Sequence, residues 1–227
     1  VSVQVHHLRK EYAQPRGARR TILDIPQLTL SAGDQVALTG PSGAGKSTLL
    51  HLLAGTLLPE AGSLIHDWDG TPVDFCTLTE SARDRYRGRY IGCVFQGHHL
   101  LPALSARDNV LLGLQVTGRV VDAAWADHLL DRVGLREQLH HRPHQLSAGQ
   151  SLRVACARAL AARPALLLID EPTATLDIRS AGVVLESLLG LASEIHAGVL
   201  VITHDAEVAK RIGTVVELET INQVRPC

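Results

Sequence analysis

The 227-residue chain carries 22 basic and 23 acidic side chains, a formal net charge of −1, and 45% hydrophobic residues. That composition supports a packed core in one domain, or in a core domain carrying a subdomain, and excludes a disordered chain. It supplies no overall basic field, so a nucleic-acid partner is not expected.

In chain order, residues 1–5 alternate like an edge strand. The basic cluster Arg16-Gly17-Ala18-Arg19-Arg20 reads as a solvated loop between two early strands rather than a binding patch. Residues 22–30 form a strand region interrupted by Pro26, and residues 31–34 a turn. Residues 35–39 are a short apolar strand running into Gly40-Pro41-Ser42-Gly43-Ala44-Gly45-Lys46-Ser47-Thr48. A helix follows over 46–54, with Leu49, Leu50, Leu52 and Leu53 on one side and Gly55 as its C-cap. A strand over 90–95 ends at Gln96. From about 97 to 163 the pattern turns helical, with leucine-rich segments at 109–115 and 123–133. Residues 165–169 and 198–202 are continuous apolar strands, the pattern of a parallel sheet buried on both faces, joined by a crossover helix over 180–195. There is no internal repeat, heptad array or low-complexity segment.

Cys76, Cys93, Cys156 and Cys227 are widely separated, which argues against a disulfide framework or zinc site and for a reducing compartment. No apolar run approaches the roughly 18 residues that span a bilayer, and no signal peptide is visible. If the protein works on a membrane, another chain supplies the membrane part.

The glycine-rich segment fits G-x-x-x-x-G-K-[ST] between a strand and a helix, the context a phosphate loop requires. Gly40, Gly43 and Gly45 let successive N–H groups curl around one anion. Lys46 adds a charge for the β- and γ-phosphates, Ser47 a hydroxyl for Mg2+, and the helix N-terminus faces the phosphates. Asp170 and Glu171 end an apolar strand, where open α/β sheets hold ligands. Asp170 suits Mg2+, and Glu171 can polarise the attacking water. Leu146-Ser147-Ala148-Gly149-Gln150 contains an S-x-x-Q capping box ahead of a helical run, so it is a capped helix end, an anion site, or both. His204 follows the last of these strands, within reach of a γ-phosphate. His98-His99 and His140-His141-x-x-His144 lack acidic or cysteine partners at ligand spacing, so they are not read as a metal site. Tyr12 either packs or stacks on a base.

Taken together, the ordered motifs make the chain resemble the ATP-binding cassette (ABC) ATPase subunits of membrane transporters, from Tyr12 to about His204. The series is A-loop Tyr12, Walker A from Gly40 to Thr48, Q-loop Gln96, signature Ser147, Gly149 and Gln150, Walker B ending at Asp170, Glu171, D-loop Thr175-Leu176-Asp177, and switch His204. The resemblance implies an α/β P-loop NTPase with a mainly parallel buried sheet, an N-terminal antiparallel β region and an inserted helical subdomain at about 97–163, within one domain spanning 1–227. It implies ATP and Mg2+ as cofactors and a head-to-tail dimer in which each ATP lies between the phosphate loop of one copy and Ser147, Gly149 and Gln150 of the other. Glu171 and His204 would be catalytic, and Ser47, Gln96 and Asp170 would face the metal. A transmembrane permease would hold the chain peripherally at the cytoplasmic face.

More narrowly, the run from Val94 through Phe95, Gln96, His98 and His99 to Pro102, followed by Asn109-Val110, is similar to the lipoprotein-release and macrolide-export branch. Four positions depart from the family pattern: Ala148 for the usual glycine, Ser151 and Leu152 for a glutamine pair, and Ala174 for glycine or serine. The alternatives are a soluble ABC ATPase acting on nucleic acid or ribosomes, and a nucleotide-gated scaffold. The first usually shows tandem cassettes, coiled-coil insertions or zinc modules, and none is present.

Overall fold

The computed structural model describes residues 2–95, 97–118, 120–172 and 178–224, with the side chains of Arg16 and residues 178–181 also outside the description. Gln96 and the segment from Thr173 to Asp177 therefore lie outside the described residues.

Two sheets form the frame. β1 (Ser2–Ala13), β2 (Arg19–Ser31), β4 (Ala61–Asp67) and β5 (Val73–Asp74) make an antiparallel sheet in the order β2-β1-β4-β5. β6 (Ile91–Val94), β7 (Leu166–Asp170), β8 (Gly198–Ile202), β3 (Gln35–Thr39) and β9 (Thr214–Glu217) make a parallel sheet in the order β6-β7-β8-β3-β9. The continuous apolar runs fall where both faces are covered, and all five residues of β8 are buried.

The early strands run further than the local pattern indicates. β1 extends to Ala13, which places Tyr12 on it. β2 continues through Pro26 because it is an edge strand, where a missing N–H breaks no ladder on the outer side.

α1 (Lys46–Leu53) buries Leu49, Leu50, Leu52 and Leu53 and ends as read from the sequence. Gly55 follows at φ +66°, its N–H donates to the Leu52 carbonyl, and the Thr56 N–H donates to the His51 carbonyl. This is a Schellman termination. An alanine at position 55 would also set its Cβ 2.3 Å from the Phe75 ring, so the glycine answers to packing as well as to backbone sign.

Among the described residues between β6 and β7 the regular elements are all helical: α3 (Ala106–Val116), α4 (Ala123–Arg132) and α5 (Ala148–Ala161), with short 3-10 turns at Arg136–Gln138 and Pro143–Gln145. They pack mainly on one another. Asn109 is fully buried in α3; its Oδ1 accepts the Leu101 N–H at 2.8 Å, and its Nδ2 donates to the carbonyls of Leu101, Leu104 and Ser105. That amide fixes the segment leading away from Gln96. α6 (Ile178–Glu194) returns the chain to β8, and α7 (Ala206–Ile212) and α8 (Leu218–Ile221) flank β9.

Two apolar clusters follow this layout. One lies under the helical segment, α6 and one face of the parallel sheet. The other fills the space between the two sheets around α1. The central strands β3, β7 and β8 contribute alternate residues to both, as with Leu167 and Ile169 in the first and Leu166 and Leu168 in the second. No helix among the described residues is long and apolar enough to cross a membrane.

Candidate nucleotide site

The C-terminal ends of β3, β7 and β8 converge on a cavity of about 760 Å3. Its lining includes Tyr12, Ser42, Gly43, Gly45, Lys46, Ser47 and Thr48 together with Asp170, Glu171 and His204. The parallel sheet, which ends each strand on the same side, brings the phosphate loop, Asp170, Glu171 and His204 to one place, and Tyr12 reaches it from β1 of the antiparallel sheet.

The phosphate loop has left-handed or extended-positive backbone at Gly40 (φ 144°), Gly43 (φ 76°) and Gly45 (φ 106°). Gly45 is also sterically fixed, since a Cβ there would stand 2.9 Å from Ile22 and Leu23 of β2. It is the N-cap of α1 and has no side chain to cap the helix, so the first turn offers its N–H groups toward the cavity mouth. The Lys46 side chain is 8% exposed, and its ammonium donates to the carbonyls of Gly40 at 2.8 Å and Pro41 at 2.9 Å. A buried cation holding only neutral carbonyls is poised to exchange them for an anion.

Across the cavity, Asp170 ends β7 with its Oδ1 buried and without a hydrogen-bond partner. Burial pushes its carboxyl above the usual range; the Ser47 hydroxyl pulls the other way, and the Glu171 charge adds to the rise. The native state therefore holds this proton to higher pH than the unfolded chain does, and its stability falls as pH rises through the window above the ordinary aspartate value. Asp170→Asn removes that component. Urea unfolding at pH 4 and pH 7, which bracket the window above the ordinary aspartate value, is expected to show the variant at least as stable as wild type at pH 7, with a smaller loss between the two pH values. A lower stability at pH 7 would contradict the assignment of burial as the dominant cause.

Glu171 adopts φ 48°, uncommon for a non-glycine residue. It is held by its own N–H donating to the Ile202 carbonyl at 3.0 Å and by His204, whose Nδ1 lies 2.5 Å from Glu171 Oε2. With Nδ1–H donating to the carboxylate, Nε2 is left facing solvent and open to a further partner. The imidazole is placed by its neighbours. The Thr203 N–H donates to the Leu38 carbonyl of β3, and Asp205 caps α7 by accepting the N–H groups of Glu207 and Val208.

Tyr12 is 42% exposed at the cavity rim, with the Lys10 ammonium 5.5 Å from its ring centroid. Ile22, not singled out by sequence, lines the same wall.

The signature residues are elsewhere. Ser147, Gly149 and Gln150 line none of this cavity. They form the N-terminal turn of α5, where the capping box is present in full: the Gln150 N–H donates to Ser147 Oγ at 3.2 Å, and the Ser147 N–H donates to Gln150 Oε1 at 2.8 Å. Ser147 and Ala148 are exposed, so the Ala148 methyl crowds nothing within the chain.

Sequence reasoning also passed over Arg158, further along α5. Its guanidinium donates to the carbonyls of His99 at 2.6 Å and His98 at 2.7 Å, both residues at positive φ. The segment following Gln96 is thereby tied to the helix that begins at Ser147. The histidine pair serves this tie through its backbone, and the His99 ring packs edge-on against Phe95, which in turn stacks on His51 of α1.

The sequence profile of the ABC transporter family matches residues 23–174. The ATP-binding protein LolD of the lipoprotein-releasing system from Hydrogenovibrio crunogenus is 42% identical over 212 residues, covering 92% of this chain and 90% of that one. Its counterpart from Acinetobacter baylyi is 42% identical, covering 85% and 84%. The dimeric post-hydrolysis state of the cassette MJ0796 bound to ADP and phosphate superposes with a TM-score of 0.84 at 32% identity, over 95% of this chain and 93% of that one. The glycine loop, the paired carboxylates and the switch histidine, set on this two-sheet frame with its inserted helices, make the chain a member of the ABC transporter family, as one of its ATP-hydrolysing cassettes.

Proposed function

We propose that this cassette is the motor of a lipoprotein-release type export complex, held at the cytoplasmic face of the membrane by a transmembrane permease. The observation that carries the mechanism is the convergence of Lys46, Asp170, Glu171 and His204 on one cavity from which Ser147 is absent. One chain supplies two half-sites, so two copies arranged head to tail complete two sites. Each ATP then lies on the phosphate loop, from Gly40 through Pro41, Ser42, Gly43, Ala44, Gly45, Lys46 and Ser47 to Thr48, with Tyr12 against the base. Ser147, Gly149 and Gln150 of the second copy close over the γ-phosphate.

The unpartnered Asp170 Oδ1 beside the Ser47 hydroxyl fits a hard divalent cation with oxygen ligands. Ser47 and Asp170, with Gln96, would hold Mg2+ there, and the ion would supply positive charge against the β- and γ-phosphates. Glu171 accepts a proton from the attacking water as that oxygen bonds to the γ-phosphorus and the bond to the bridging oxygen of ADP breaks. His204 orients Glu171 through Nδ1 and turns Nε2 toward the γ-phosphate. Asp177 of the D-loop motif lies outside the described residues.

The link to the permease runs through residues 97–163, read as a helical signature subdomain within a single domain of 1–227. Arg158 joins the segment after Gln96 to α5, so a change at the γ-phosphate moves the helical segment as a unit. The relatives named for the lipoprotein-releasing system cover most of both chains, which favours that branch.

Affinity capture of the chain from detergent-solubilised membranes, followed by phosphate-release assays on the captured complex, tests this reading. A co-purifying multi-span permease that raises the ATPase rate supports it. Ribosomal protein or RNA in its place favours the non-transport alternative, and a permease complex without turnover favours the scaffold.

A further inference from the structure

The chain beyond His204 contributes nothing to the motif series and lies outside the stretch matched by the family profile. It nevertheless backs the phosphate loop at both ends, directly at Gly40 and through β2 at Gly45. β9 pairs in parallel with β3 and sets Glu217 beside Thr39, the residue that leads into the loop. α8 follows at once. Its Leu218 is fully buried, with Cβ 3.5 Å from the place a Cβ on Gly40 would occupy.

The other end of the loop is reached through β2. Gly45 abuts Ile22 and Leu23, and Ile22 also lines the nucleotide cavity. β2 is the edge of its sheet, so its outer backbone groups need partners from elsewhere. Asn222 provides them. Its Oδ1 accepts the Asp24 N–H at 2.8 Å, and its Nδ2 donates to the Ile22 carbonyl at 3.0 Å. The Gln223 N–H donates to the Asp24 carbonyl at 2.8 Å. The turn itself is locked by the Asn222 N–H donating to the Leu218 carbonyl and the Val224 N–H donating to Asn222 Oδ1. A side-chain amide offers one acceptor and one donor group in the spacing of a peptide, so Asn222 pairs the edge of β2 as a further strand would.

Between these two contacts lies a separate cavity of about 270 Å3, bounded by Pro41, Ser42 and Gly43 on one side and Leu218 and Asn222 on the other. The ends of the loop are gripped while its middle has room to reshape around phosphates.

We propose that Leu218 and Asn222 form a brace for the phosphate loop, with Asn222 a positioning residue for nucleotide binding. It acts through β2, on the wall carrying Ile22 and on the seat of Gly45, without touching the nucleotide. The proposal rests on the cavity being the ATP site.

The test is fluorescent ATP-analogue titration and steady-state phosphate release on the full chain for wild type, Asn222→Ala and Asn222→Asp, with thermal melts alongside. Asn222→Ala is expected to weaken nucleotide affinity about 5-fold and raise KM alike, with kcat at saturating ATP within about 2-fold of wild type. Asn222→Asp keeps the acceptor for Asp24 but sets an oxygen against the Ile22 carbonyl, so it is expected to bind no better than the alanine variant. Should the alanine variant fold poorly, the aspartate variant carries the comparison. Folded variants with wild-type affinity and KM would overturn the brace, as would a loss confined to Tm and kcat. Wild type that binds no nucleotide would instead remove the ATP site on which the brace depends.

Discussion

Glu171→Gln is expected to leave ATP binding intact while lowering steady-state phosphate release about 100- to 10,000-fold, the range general-base assistance contributes. The amide preserves shape and the backbone bond to Ile202, and its oxygen can still accept from His204 Nδ1. What it loses is the capacity to take the proton of the attacking water. A binding deficit of similar size would mean that Glu171 supports the architecture of the site rather than the chemical step. The φ of 48° at this residue makes that distinction worth measuring, because a strained position can fail for conformational reasons. Equilibrium nucleotide titration beside a phosphate-release assay separates the two. Turnover at the wild-type rate would remove Glu171 from its assigned role.

Lys46→Ala is expected to weaken ATP binding about 10- to 100-fold, the loss of charge-assisted hydrogen bonds to phosphate. Its effect on stability is expected to be small. The variant abolishes the cost of a buried ammonium, but it also leaves the Gly40 and Pro41 carbonyls without their donor. Calorimetric titration with ATP, paired with a thermal melt, reads both quantities. A large drop in Tm with affinity retained in the folded fraction would show that the lysine serves the loop alone. The contrast with Asn222 is one of degree: a group placed to contact phosphate is expected to outweigh one that steadies the wall.

How far such roles could be read from sequence depended on how local their causes are. The strand–loop–helix around Lys46 and the capping box of Ser147 and Gln150 are set by residues three or four positions apart, and the structure reproduces them closely. The parallel core strands are legible because burial on both faces leaves unbroken apolar runs. α2 (Glu80–Tyr90) is not, since it buries no residue and carries arginines at alternate positions, leaving no apolar stripe to detect. β4, β5, α7 and β9 were also passed over; the four residues of β9 expose Val215 and depend on the neighbouring β3 for their conformation.

Contacts between distant parts of the chain account for what else was missed. Asn222 reaches Asp24 and Ile22 across 198 and 200 positions, and Arg158 reaches His98 across 60. No periodicity or motif marks such pairs. The candidate site residues are legible through their motif types; the parallel topology brings Lys46, Asp170, Glu171 and His204 to one cavity, which Tyr12 lines from β1 of the other sheet. Gln96 and Asp177 lie outside the described residues.

On the proposed head-to-tail arrangement, the phosphate loop and Ser147 of one chain serve two different ATP molecules. Light scattering of the Glu171→Gln variant, with and without saturating ATP, tests it most directly when repeated after adding Ser147→Arg at the exposed start of α5. ATP is expected to convert the single variant to a dimer holding two nucleotides. The added arginine should abolish that dimer without changing the ATP affinity of the monomer. A chain that stays monomeric at saturating ATP, or an arginine that weakens its own monomer's ATP binding, would show that Ser147 does not serve the partner's nucleotide.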